Sequence, residues 1–279
     1  MTAQAGTVGR AGPAGHKRRY KGTDAVIVDL WFLAIAAPAV VFAGISKGGF
    51  GSGAAFAAAM VLALVIPPHF ALGVMLPLLM LMDAATLRPF WGKWNRQAAG
   101  LLILGGVPGV ILGVGVYRMV DQDAIRLMIG GIALGFSVWK LLEGRGWISP
   151  PRRALPRHLG FVAGIAAGFT SFVSHAGGPP VAVYLLSQRL GKSEFQATTV
   201  LVFWAINLVK FLPYAGLGFF SVQTGFANLV LAPFALLGVY LGVRAHHLMP
   251  ERLFFAVTYA LLIATGTKLI WDGGQGMLG

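Results

Sequence analysis

Ten apolar stretches dominate this chain: residues 26–43, 54–66, 70–87, 98–116, 125–142, 159–173, 179–186, 198–220, 226–243 and 253–270. A helix rises ~1.5 Å per residue, so about 20 mostly apolar residues cross a ~30 Å hydrocarbon core. Eight of the stretches are of that order, while 54–66 and 179–186 are too short to cross fully. Only 11% of the 279 residues are charged, against about 25% in soluble domains. A water-facing globule is therefore excluded, and with it most enzymes that work in water. The expectation is an all-α polytopic membrane protein.

Lys and Arg outnumber Asp and Glu by 22 to 9. In a soluble protein that excess would point to nucleic acid; in a chain this apolar it points to basic loops that set orientation. Residues 1–24 hold Arg10, Lys17, Arg18, Arg19 and Lys21 and read as a disordered basic tail that meets anionic lipid rather than nucleic acid. Residues 143–157, rich in Arg and Pro, form the one clear linker. It separates a first transmembrane repeat (25–142) from a second (158–272), with a short C-terminal tail at 273–279.

A register near 129 residues places Gly48-Gly49 on Gly177-Gly178 and Gly109-Val-Ile-Leu-Gly113 on Gly238-Val-Tyr-Leu-Gly242; one residue of drift places Lys140-Leu-Leu on Lys268-Leu-Ile. Each half reads as a long segment, a glycine break, a short segment and three long segments. If each short segment dips in and returns, the halves are parallel four-span repeats, eight spans in all. With the N-terminus inside, that puts 14 basic residues in the cytoplasm and 6 outside. If the short segments cross fully, the repeats are inverted and the count is 8 inside and 12 outside. The positive-inside rule favours parallel repeats, with both termini and the linker cytoplasmic. Inverted repeats, common in transporters, are the alternative.

Residues 42–53 contain five glycines, each costing ~1 kcal/mol against Ala in a helix, so a break in the helix is expected there. Ser171-Phe-Val-Ser-His-Ala-Gly-Gly-Pro-Pro180 repeats the pattern. The short helices that follow would point their N-termini, and their partial positive charge, into the membrane interior, where an anion is favoured. Lys47 lies in the first break, flanked by Ser46 and Ser52; it has a partner, a wet cavity or a ligand, or else it snorkels to the surface. His175 holds the matching place, with Ser171 and Ser174. Lys210 lies in the middle of 198–220, with Asn207 on the same face at i, i+3. Asp83 is the only acid well inside an apolar stretch. It is an interfacial partner of Arg88 or Lys93, or else, like His175, a proton carrier or the partner of an intramembrane lysine. The candidate substrate site is thus Ser46, Lys47, Gly48, Gly49, Ser52, His175, Gly177, Gly178, Asn207 and Lys210.

The pairs Gly109/Gly113 and Gly238/Gly242 fit close helix packing. Adjacent His246 and His247 point apart on a helix, which argues against a metal site. With no Cys there is no disulfide or thiolate metal centre, and no catalytic motif or cofactor fingerprint occurs.

The motif Gly44-Ile-Ser-Lys-Gly-Gly-Phe-Gly, its partner Ser174-His-Ala-Gly-Gly-Pro-Pro and the duplicated layout resemble the sulfite exporter TauE/SafE family, over roughly residues 26–270. The resemblance implies an inner-membrane permease that moves small sulfur-containing anions such as sulfite or sulfonates outward, not an enzyme. Lys47, His175, Pro179 and Pro180 depart from the family's simpler glycine runs. The alternative is a non-transporting scaffold or assembly partner of another membrane complex. Assembly into a homo-oligomer stays open under either reading.

Overall fold

The computed structural model of the chain describes residues 28–49, 55–148, 153–245 and 251–278. Its α-helices follow the apolar stretches in order: α1 (Leu30–Gly49), α2 (Phe56–Val65), α3 (Pro68–Leu87), α4 (Arg96–Met119), α5 (Gln122–Gly144), α6 (Arg157–Ser174), α7 (Gly178–Ser187), α8 (Lys192–Gly216), α9 (Val222–Ala245) and α10 (Glu251–Leu278). Helices satisfy their own backbone groups, which lipid demands. Local chemistry sets their ends. Asn95 and Asp121 each accept a hydrogen bond from the amide three residues on, at 2.9 and 2.8 Å, the usual N-cap geometry. Pro68 opens α3 where no amide partner is needed. Among the described residues, α1, α3 (with the 3-10 turn that follows it), α4, α5, α8 and α9 are long and apolar enough to cross a membrane. α2 and α7 have 10 residues each, about 15 Å at ~1.5 Å per residue.

Glycines bring the main helix pairs close, and their register gives the direction of each helix. In α1, Gly44 faces Ala235 and Gly238 of α9, and Gly48 faces Val239 and Val243, so α1 and α9 run parallel. α4 and α6 also run parallel: Gly105 lies on Gly164, Gly109 on Ile165 and Phe169, and Gly113 on Phe172. α5 and α10 run antiparallel, with Gly273 beside Asp123 and Gly266 beside Gly130 and Ala133. α3 and α8 are antiparallel too. His69, at the start of α3, stacks near Phe219 beyond the end of α8. Asn95, past the end of α3, donates from its backbone to Thr198 Oγ1 (2.9 Å) and from its side chain to Glu194 (3.1 Å) near the start of α8.

These directions correct the expectation of parallel repeats. α7 turns back along α6: Gly160 meets Tyr184, and the Leu155 backbone is bonded to Ser187 and Gln188. α2 likewise leads back to the face where α1 began, because α3 starts there. Each half is therefore one returning hairpin plus three helices that run between the faces, an odd number. The linker lies on one face, and the start of α1 and the end of α10 lie on the other. Loop charge alone misled, because it carries no information on where a hairpin turns. α10 also continues as helix to Leu278, through most of the segment read as a tail.

A second correction concerns the first break. α1 stays helical through Lys47, Gly48 and Gly49, and the cost of these glycines is offset by packing. A Cβ at Gly44 would stand 2.7 Å from the Ala235 carbonyl oxygen, and one at Gly49 would stand 2.5 Å from that of Gly242. Ser52 and the pair His246-His247 lie outside the described residues.

A buried lysine-lined cavity between the two hairpins

Four helices bring the candidate polar residues to one place in the protein interior. Lys47, near the end of α1, and Asp83, in the last two turns of α3, form an ion pair with 2% and 0% of their surfaces exposed. Lys47 therefore does not snorkel, and Asp83 pairs with neither Arg88 nor Lys93. The second carboxylate oxygen of Asp83 accepts a hydrogen bond from Asn207 Nδ2 of α8 at 2.8 Å. The α8 residue Gln196 donates to the Lys47 carbonyl at 2.7 Å, and the Phe203 ring lies 5.4 Å from the ammonium, a cation–π distance.

The second hairpin builds a counterpart. His175 ends α6 in the left-handed conformation at φ 57°, and its amide closes on the Ser171 carbonyl at 3.0 Å. A residue in this conformation terminates a helix cleanly and here aims its ring back at α8. Lys210 Nζ donates to the Ser171 carbonyl and hydroxyl, each at 3.0 Å, and lies 2.9 Å from His175 Nδ1. His175 Nε2 faces the Leu72 carbonyl of α3 at 3.3 Å. That oxygen only accepts, so Nε2 carries the hydrogen and Nδ1 accepts from Lys210. The Tyr214 hydroxyl donates to the Phe172 carbonyl at 2.6 Å, with its ring 5.7 Å from Lys210 Nζ.

Lys47, Ala55, Leu79, Ser171, His175, Phe203 and Asn207 line a small cavity between these clusters, about 10 Å³ in volume, room for about one water. Of the residues read from the sequence, Lys47, His175 and Asn207 line it directly, and Asp83 and Lys210 are bonded to those that do. The structure places Gly48 and Gly49 on α9 instead, and buried Ser46 does not line the cavity. Gly177 packs against Ser171 and Phe203: a Cβ there would stand 3.0 and 2.8 Å from them. Gly178 is buried in the first turn of α7. Pro179 and Pro180 follow it and remove two amides from that turn, so side chains rather than backbone N–H groups supply most donors on this side.

The site also holds Ser171, Gln196, Phe203 and Tyr214, which lie outside the candidate set read from the sequence. One signal was available. Gln196, Phe203, Asn207, Lys210 and Tyr214 recur at intervals of 7, 4, 3 and 4 residues, which is one face of a helix and an unusual polar stripe for an apolar segment. No group of three or more potential metal ligands occurs among the described residues.

No curated protein and no solved structure matches the chain. The family model described as Sulfite exporter TauE/SafE matches residues 36–269, a span that holds both hairpins, the ion pair and the Lys210 cluster. This multi-pass membrane protein, with its lysine-lined cavity between two returning hairpins, belongs to the sulfite exporter TauE/SafE family of membrane transporters.

Proposed function

We propose that the chain is a secondary permease that exports a small sulfur-containing anion, sulfite or an organosulfonate, across the inner membrane. The observation that carries this reading is a buried cavity between the α1–α2 and α6–α7 hairpins, lined by one lysine, Lys47, and walled by Ser171 and His175, which hold a second, Lys210. A charge at the bilayer centre costs about 2.5–3.5 kcal/mol even on the lenient scale, so two lysines persist there only where something compensates them. Asp83 compensates one, and the transported anion compensates the other. Lys47, Asn207 and Ser171 contact the anion, His175 holds Lys210 beside it, and the start of α2, at the lining residue Ala55, faces it with its positive end. The cavity is too small for sulfite as it stands, so entry requires the hairpins to part, as alternating access demands. Asp83 and His175 are the groups placed to exchange a proton with the cargo.

The two halves are, in this reading, an inverted repeat. Lys47 and Asp83 of the first correspond to His175 and Lys210 of the second, at offsets of 128 and 127 residues. Orientation follows from the described basic residues. Eleven Lys and Arg lie toward the linker face and three (Arg118, Arg126 and Lys268) toward the opposite one. The five basic residues of 1–24 lie outside the described residues. The linker face is thus cytoplasmic and the chain's ends are external. A C-terminal alkaline phosphatase fusion is expected to be active and a C-terminal green fluorescent protein fusion dark; the reverse pair of results would refute this orientation.

Flux tests the permease directly. Proteoliposomes holding the purified chain are expected to take up labelled sulfite or methanesulfonate. Lys47→Ala and Lys210→Ala should each lower the rate at least tenfold. Normal flux in both variants would move the site elsewhere.

A further inference from the structure

We infer that the site is charge-matched to one monoanion, a sulfonate or sulfite in its hydrogen sulfite form, so that a dianion of the same shape is rejected; this deepens the permease reading and rests on it. Formal charges decide the selection, because Lys47, Asp83, His175, Asn207 and Lys210 are all buried. Lys47 and Asp83 cancel as a pair, and the second oxygen of Asp83 is held by Asn207. Lys210 remains. Its Nζ has three neighbours within hydrogen-bond range, the Ser171 carbonyl, the Ser171 hydroxyl and His175 Nδ1. These match the three donors of an ammonium, and the Tyr214 ring flanks it. His175 adds no charge, because Nε2–H faces a carbonyl and Nδ1 accepts from Lys210. Asp83 is the only buried acid among the described residues. The cluster therefore carries one positive charge without a carboxylate to answer it.

A buried charge without a counter-charge is unfavourable in a low-dielectric interior. One monoanion beside Lys47, Ser171 and Asn207 brings the sum to zero. A dianion leaves an excess of opposite sign and loses more hydration on entry. The selection is electrostatic and distinct from size, since the hairpins must part for either ion.

Perchlorate and sulfate test this, being tetrahedral ions of similar size with one and two charges; methanesulfonate serves as the reference sulfonate. Binding to the purified full-length protein is measured calorimetrically. Wild type is expected to bind methanesulfonate, and to bind perchlorate at least tenfold more tightly than sulfate. Asp83→Asn raises the site to two positive charges and should move the perchlorate-to-sulfate ratio at least tenfold toward sulfate, which cancels the intrinsic hydration difference between the ions. Lys210→Gln brings the site to zero and should weaken perchlorate at least tenfold, and it decides the matter if the Asp83 variant does not fold. Equal wild-type binding of perchlorate and sulfate, an unchanged ratio in folded Asp83→Asn, or undiminished perchlorate binding in Lys210→Gln overturns the charge match while methanesulfonate binding leaves the permease intact. Failure of all three ions to bind wild type overturns both.

Discussion

Lys47→Met is expected to abolish flux and to destabilise the protein by about 3–5 kcal/mol, the usual consequence of removing one partner from a buried pair. The reason lies in what stays behind. Asp83 is fully buried, and without Lys47 its carboxylate keeps only the Asn207 hydrogen bond. The double variant Lys47→Met/Asp83→Leu removes both charges and should recover most of the lost stability, since apolar replacement of a buried pair is often neutral or better. It should not recover flux, because the anion's contact at Lys47 is gone. Thermal unfolding in detergent and proteoliposome uptake separate the two effects. A Lys47→Met protein as stable as wild type would show that Asp83 is satisfied without Lys47. A double variant with restored flux would remove Lys47 from the transport site.

The helices were legible because hydropathy reports them directly: each apolar stretch became one helix, and the two short stretches became the two 10-residue helices. That Lys47, His175, Asn207, Lys210 and Asp83 need partners inside the protein was legible as well, since an ionisable or polar group in lipid needs a reason. Their pairing was not. Lys47 could have met Asp83, a ligand or the surface; its actual contact joins α1 to α3 across 36 residues, and no local periodicity encodes it. The glycines were ambiguous for a different reason. A Gly-rich run looks the same whether it interrupts a helix or lets two helices touch. Gly44 and Gly48 serve the second purpose, which shows only once Gly238 and Gly242 lie opposite. The direction of the second half escaped in the same way. It depends on whether α2 and α7 turn back, a tertiary fact, while the charge count assumed an answer.

The contact between α1 and α9 also connects stability to function, and Gly44→Val is expected to break that connection. The added Cβ would lie 2.7 Å from the Ala235 carbonyl oxygen and 2.8 Å from the backbone of Gly238, atoms that cannot rotate away. Overpacking usually costs about 1–3 kcal/mol; against backbone on both sides the upper end of that range is expected. Gly115→Ala in α4 and Gly135→Ala in α5 are the controls, since an added Cβ meets nothing within 4 Å at either. There the helix gains up to ~1 kcal/mol from losing glycine's freedom. Melting of the monodisperse protein should fall for Gly44→Val and hold or rise for the controls. Gly44 lies one turn before Lys47, so forcing α1 off α9 also displaces the lysine from Asp83. Flux in Gly44→Val should therefore drop well below the folded fraction that survives at the assay temperature. Melting equal to wild type would refute the close packing. A flux loss no greater than the loss of folded protein would separate the α1–α9 contact from the position of Lys47.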